Sequence, residues 1–268
     1  MAVTFGATTG DVLQFTAVNS ARVGYGAGSS TYMWGWFKPT TFTSGRPLFA
    51  AANNTLSLTG SSELLFVLSR INSSTLADTS ASYTTSGAAV VVNEWRFFCL
   101  VTTTTTAPIS QAVRLWLGST TDPPVAATLT ANVPAAASTI ATTAFISQIG
   151  NTSALTTPFI GQLDNFEGFG PVTSIYQIAT VGTITSLEEQ LILESIVTPA
   201  WLSSPISPMS DPLPNRTLFN LTTPPYDWTP VSSIYSQIAP TVGGTLTTLE
   251  RCPRPSLVQT TIPVRTRR

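Results

Sequence analysis

Between residue 11 and about residue 170 the chain alternates apolar and polar positions in short runs, with Gly, Pro and Asn between them. Asp11-Val-Leu-Gln-Phe15 alternates, and Tyr32-Met-Trp-Gly-Trp-Phe37 runs into Lys38-Pro39. Further runs cover residues 47–51, 56–58, 63–70, 95–101, 113–118, 144–149 and 159–169. Alternation at period two marks a strand with one buried face. Many such runs at regular spacing, bounded by turn residues, predict an antiparallel sandwich. Helical periodicity is nearly absent up to residue 170. One helix is predicted after it, over residues 187–196. Ser186 and Glu189 form a capping box at its start, and Pro199 bars its continuation.

Composition narrows the chemistry. Charged residues are 9% of the 268, against roughly 25% in a typical soluble domain, while Thr alone supplies 45. There is no His and a single Lys, Lys38. A chain without His builds no Ser-His-Asp relay and no His-containing metal site. Two Cys make neither a Cys₄ zinc site nor an iron–sulfur cluster. Cys99 alternates within a strand run and reads as a buried free thiol, with Cys252 in the tail. At 43% apolar residues the chain can bury a full core.

The net charge of −1 conceals an asymmetry. Residues 1–250 carry 7 basic and 13 acidic side chains, whereas residues 251–268 carry five Arg and no acid. A cationic tail on an acidic body predicts an acidic partner surface. The tail has no aromatic residue for base stacking, which disfavours nucleic acid. The opening MAVTFGATTG has neither a basic nor an apolar signal region. No apolar run approaches the ~18 residues of a membrane span. The expectation is a chain made in a host cytoplasm without a secretory signal. A surface rich in Thr, Ser and Asn but poor in charge suits an assembly, where other subunits cover it.

Seven segments, in order, resemble one known family. Gly10-Asp-Val-Leu-Gln-Phe15 is similar to its opening strand, Trp34-Gly-Trp36-Phe-Lys-Pro39 to its Trp-containing strand, and Pro47-Leu-Phe49 to the strand after it. Asn93-Glu-Trp95-Arg-Phe-Phe98, Val113-Arg-Leu-Trp-Leu-Gly118 and Phe159-Ile-Gly-Gln-Leu-Asp164 resemble later strands, and residues 187–193 its helix. Over residues 3–197 the chain resembles a laminin-G-like, concanavalin-A-like lectin domain, and the expected setting is a phage virion protein. The resemblance implies an all-β fold, a two-sheet antiparallel jelly-roll sandwich with one short helix.

That family includes glycan-binding modules, glycosidases and structural domains, so fold does not settle activity. A related glycosidase lineage places paired carboxylates on one strand. The nearest match is Asp164-Asn-Phe-Glu167, whose odd spacing predicts carboxyls on opposite faces, unable to flank one glycosidic bond. Asp164 matches a structural Asp of the family strand. The acids are too scattered to nominate a calcium cage. Trp34 and Trp36 share one sheet face and read as core, as do Trp95 and Trp116. No catalytic residue, metal site or cofactor is expected.

Residues 198–268 form a second unit, an extended Pro-rich arm with a basic tail. Nine prolines from Pro199 to Pro240 exclude long regular elements there. Bulky residues recur, which a solvated linker would lack. The segment 171–188 is repeated at 230–250, with fifteen of eighteen positions identical and three single insertions in the second copy. Either the second copy fills surface, or both copies bind equivalent surfaces, one on the chain's own sandwich and one on a neighbour. The expected docking residues are Trp201, Tyr226, Trp228, Tyr235, Arg251, Arg254, Arg265, Arg267 and Arg268.

Three function classes follow. The first is a non-enzymatic virion structural protein, a capsid decoration or cement subunit whose arm binds neighbouring major capsid or tail subunits, homo-oligomeric in the assembly. The alternative is a glycan-binding adhesin, a tail or fibre component for host attachment. A glycosidase comes third, for want of paired carboxylates.

Overall fold

A computed structural model describes residues 2–14, 22–23, 30–51, 54–103, 112–141, 144–145, 148–152, 154–172, 197, 216–219, 235–238, 241–243 and 247–248. In chain order the strands are β1 (Val3–Phe5), β2 (Val12–Gln14), β3 (Arg22–Val23), β4 (Ser30–Pro39), β5 (Arg46–Ala51), β6 (Asn54–Leu58) and β7 (Leu64–Asn72). They continue as β8 (Asp78–Thr85), β9 (Arg96–Thr103), β10 (Val113–Ser119), β11 (Val125–Ala126), β12 (Leu129–Asn132), β13 (Ala137–Ala141), β14 (Ala144–Phe145) and β15 (Gln148–Ile149). The last are β16 (Gly161–Val172), β17 (Arg216–Phe219), β18 (Tyr235–Ile238), β19 (Thr241–Gly243) and β20 (Thr247–Thr248).

Apart from the parallel β17–β18 pair, these strands form an antiparallel two-sheet sandwich, the fold class expected from the sequence. One sheet runs β11-β10-β9-β4-β16-β1-β20, with β17 beside β16 and β18 beside β17. The other runs β12-β8-β7-β6-β5-β15-β2-β19, with β13 against β7. A short β3–β14 ladder stands apart. The helix predicted over residues 187–196 lies outside the described residues; Val197, just after it, is fully buried.

The core between the sheets follows from the alternation. Leu64, Phe66 and Leu68 of β7 point inward, as do Phe98 and Leu100 of β9 and Val113 and Leu115 of β10. Aromatic edges fill the middle: Phe98 meets Phe166 at 5.3 Å and 62°, and Phe37 meets Phe98 at 6.2 Å. Each fully buried apolar side chain of this size contributes roughly 1.5–3 kcal/mol. Gly35 lies beneath the Phe166 ring, where an added Cβ would stand 2.7 Å from the ring.

Polar groups at one end of the sandwich hold the chain's opening turn. The Gly6 amide donates to Asp11 Oδ2 at 2.7 Å. Asn151, fully buried, donates from Nδ2 to the carbonyls of Thr9 (2.8 Å) and Asp11 (3.0 Å). Its Oδ1 accepts from the Thr152 and Thr157 amides at 2.8 and 3.2 Å. The preceding residue must be glycine, because Gly150 has φ +78° and a Cβ there would enter the Phe5 ring.

The structure sharpens three of these readings. Within the run 144–149, Ala144–Phe145 pairs with β3 and Gln148–Ile149 lies between β2 and β5. Trp95 is only half-buried, because it precedes β9 instead of lying within it. Between Asp164 and Glu167 the register of β16 against β4 shifts, so that these two backbone positions oppose Trp36 and Trp34, which are two residues apart.

Candidate functional site

Two regions lie outside the shared core, and the first carries Trp34, Trp36, Trp116 and Asp164. The first is the other face of the sheet containing β4. Alternation that turns Met33 and Phe37 toward the core turns Tyr32, Trp34 and Trp36 away from it. The neighbouring strands repeat the pattern with Phe97, Cys99 and Val101 on β9, and Arg114 and Trp116 on β10. Register lines these positions into rows: Asp164–Trp36–Phe97, then Trp34–Cys99–Trp116, then Tyr32–Val101–Arg114. Trp36 and Phe97 pack at 5.4 Å and 59°.

This face is closed to solvent. Trp34 is 4% exposed, Trp36 2%, Trp116 1% and Asp164 2%. The sheet therefore buries apolar rings on both sides, and Trp34, Trp36 and Trp116 offer no open stacking platform to a sugar. Asp164 lines no open cleft. Cys99 is a free, buried thiol, and burial pushes its pKa well above the usual thiol range. Such a thiol is inert. On the inner face of the other sheet, burial raises the Tyr83 hydroxyl pKa, opposed by the Arg70 guanidinium. Among the described residues no three His, Cys, Asp or Glu side chains stand close enough to hold a metal ion, and no helix is long and apolar enough to cross a membrane.

The second surface is the edge shared by β1 and β2, where the arm returns to the sandwich. Thr241, Val242 and Gly243 pair antiparallel with Gln14, Leu13 and Val12. Thr247 and Thr248 pair with Thr4 and Val3. One eight-residue stretch thus adds an outer strand to each sheet, β19 to one and β20 to the other. Higher on β16, Arg216, Thr217 and Leu218 pair with Phe169, Gly168 and Glu167, and β18 runs parallel to β17. The opposite flank is closed in the same manner by β11 and β12, separated by two residues.

Of the nine expected docking residues, Tyr235 opens β18. Trp201, Tyr226, Trp228, Arg251, Arg254, Arg265, Arg267 and Arg268 lie outside the described residues. The β1/β2 edge itself was not singled out by sequence reasoning. Its signal was present in the duplication, since β18, β19 and β20 all fall within the second copy.

No family model matches the chain, and no curated protein is similar to it. Among solved structures the chain is similar to the mouse laminin alpha1 chain, domains LG4-5, at 16% identity and a TM-score of 0.32. That likeness covers 59% of this chain and 40% of the laminin chain. It is also similar to a native heptameric SAP-like pentraxin from Limulus polyphemus, at 15% identity and a TM-score of 0.37. Here 69% of this chain and 87% of the pentraxin are covered.

Proposed function

We propose that the chain is a non-enzymatic structural component of a phage virion, a capsid decoration or cement subunit that holds neighbouring subunits through its C-terminal arm. The observation that carries this reading is the pairing of β19 and β20 with β2 and β1. An arm that seats itself by main-chain pairing on sheet edges uses the same chemistry as peptides that add a strand to a partner. The charge distribution supports it. A body with few charges loses little on being covered, and the five Arg after residue 250 are drawn to an acidic capsid surface.

In this reading the sandwich is a rigid block, the arm spans to the next subunit, and the tail contributes a screened electrostatic attraction that weakens with salt. The alternative, a glycan-binding adhesin, loses its aromatic platform because Trp34, Trp36 and Trp116 are closed to solvent. The test compares the full chain with a variant ending at Glu250 during particle assembly. The truncated chain is expected to melt at the same temperature as the full chain and to be absent from purified particles. Normal incorporation would overturn the proposal.

A further inference from the structure

One flank of the sandwich ends in strands whose outer sides stand open among the described residues. β11 and β12 are the last strands of their sheets on that side, and each has one partner strand there. Thr130 and Asn132 of β12 are exposed, Leu129 and Ala131 are half-buried against the core, and Val125 of β11 is 65% exposed. The Ser86 amide donates to the Thr128 carbonyl at 2.9 Å, just before β12. Alternation along the β8–β12 ladder therefore turns the N–H and C=O groups of Thr130 and Asn132 toward β8, and those of Leu129 and Ala131 outward. Edge strands are usually blunted by charge, a bulge, proline or a covering segment. Here no charged residue occurs from residue 123 to residue 163, or from residue 79 to residue 93 along β8 and the loop after it. Pro123, Pro124 and Pro134 bound the stretch that holds β11 and β12 and do not enter either strand.

We infer that β12 is a self-association edge, pairing antiparallel with β12 of a second copy of this chain about a two-fold axis through Thr130. The outward groups set this register. Leu129 and Ala131 of one copy exchange main-chain bonds with Ala131 and Leu129 of the second, about four bonds in all. Thr130 then meets its own counterpart with Cα atoms ~4.5 Å apart, a favourable hydroxyl pair. Leu129 lies against Ala131 on the core side, and Thr128 against Asn132 on the outer side. One strand thus supplies both halves of an isologous contact. The absence of charge lets two copies approach without repulsion and gives a charged partner nothing to read. The axis stands perpendicular to both sheets, so it also brings the two β11 strands, with Val125, to the junction. Four residues make a weak contact alone, but in an assembly the effective concentration is high.

The inference rests on this flank and not on the arm. The test follows the full chain in concentrated solution by sedimentation equilibrium, and a reversible dimer is expected. Thr130→Lys and Thr130→Glu each set like charges directly opposite one another at an exposed position. Each is expected to raise the dissociation constant at least about tenfold and to leave the melting temperature of dilute protein unchanged. Mixed in equal amounts, the two variants should return to dimer, as a contact of residue 130 with its own counterpart requires. As a second reading, Cys252→Ser chains carrying Thr130→Cys should oxidise to a covalent dimer, since Cys99 is buried. Chains with Thr75→Cys, exposed in the turn after β7, should not. A monomeric full chain would overturn the inference. So would a dimer indifferent to both charges, a mixture that stays monomeric, or linkage no greater from Thr130→Cys than from Thr75→Cys. In any of these cases, loss of incorporation on ending the chain at Glu250 would leave the assembly reading standing.

Discussion

Replacing Gly35 by Ala drives a methyl group into the one place where β4 has no room for it. The added Cβ would stand 2.7, 2.9 and 3.1 Å from Cδ2, Cε2 and Cγ of Phe166. The ring cannot simply withdraw, because it is braced edge-on against Phe98 at 5.3 Å. Overpacking of this kind costs about 1–3 kcal/mol. For a body of this size each kilocalorie lowers the melting temperature by about 2–4 °C, so the fall is expected to be about 2–12 °C. Thermal unfolding followed by tryptophan fluorescence is a direct assay, since Trp34 and Trp36 flank the substituted position. The decisive measurement is a double-mutant cycle with Phe166→Leu, which makes space above residue 35. Alone, Phe166→Leu is expected to cost less than the ~3–5 kcal/mol of a Phe→Ala change. Together the two substitutions should cost at least ~0.5 kcal/mol less than their sum. Additive costs, or a Gly35→Ala variant as stable as the parent, would refute the packing argument.

Asn151→Ala removes a side chain that satisfies two carbonyls and two amides at the end of the sandwich. A loss of about 2–4 kcal/mol is expected, read as a lower urea midpoint; an unchanged midpoint would count against the network. Asp122 accepts from the Ser119 hydroxyl at 2.7 Å and the Thr121 hydroxyl at 3.2 Å, and these bonds hold its carboxyl below the ordinary 3.8. A depressed carboxyl stabilises the fold above the unfolded value and loses that contribution as pH falls through the lowered one. Asp122→Asn should therefore make stability less steep in pH below about 4, and an unchanged acid slope would contradict the assignment.

The strands that sequence made legible are those with a sharp contrast between faces. In β7 the large apolar residues Leu64, Phe66 and Leu68 are separated by positions that stay partly exposed. The strand β8 escaped because Asp78–Thr85 is mostly Ser and Thr, and its buried face is made of Ala81, Tyr83 and Thr85. Periodicity placed Trp34 and Trp36 on one face but carries no information about which face lies against the other sheet. The register shift before Glu167 was equally silent, because a break in the ladder leaves no mark in residue spacing. Along the arm, the described elements β17 to β20 are two to four residues long. The partners of β19 and β20, residues 12–14 and 3–4, lie more than two hundred positions away, and pairing at that range is written in register alone.

The two flanks of the sandwich also differ in time. Residues 113–132 complete one flank as a nearly local event, soon after β9 has been made. The other flank waits for the ribosome. β1 can take its place beside β16 once residue 163 has emerged, but its outer side stays unpaired until residues 247–248 follow. From residue 163 to residue 248 synthesis takes roughly 4–17 s at the usual rate of about 5–20 residues per second. Chains translated side by side from one message would therefore display open β1 edges to one another during that interval. Closure within a chain is a race that dilution favours, and closure between chains is one that high expression favours.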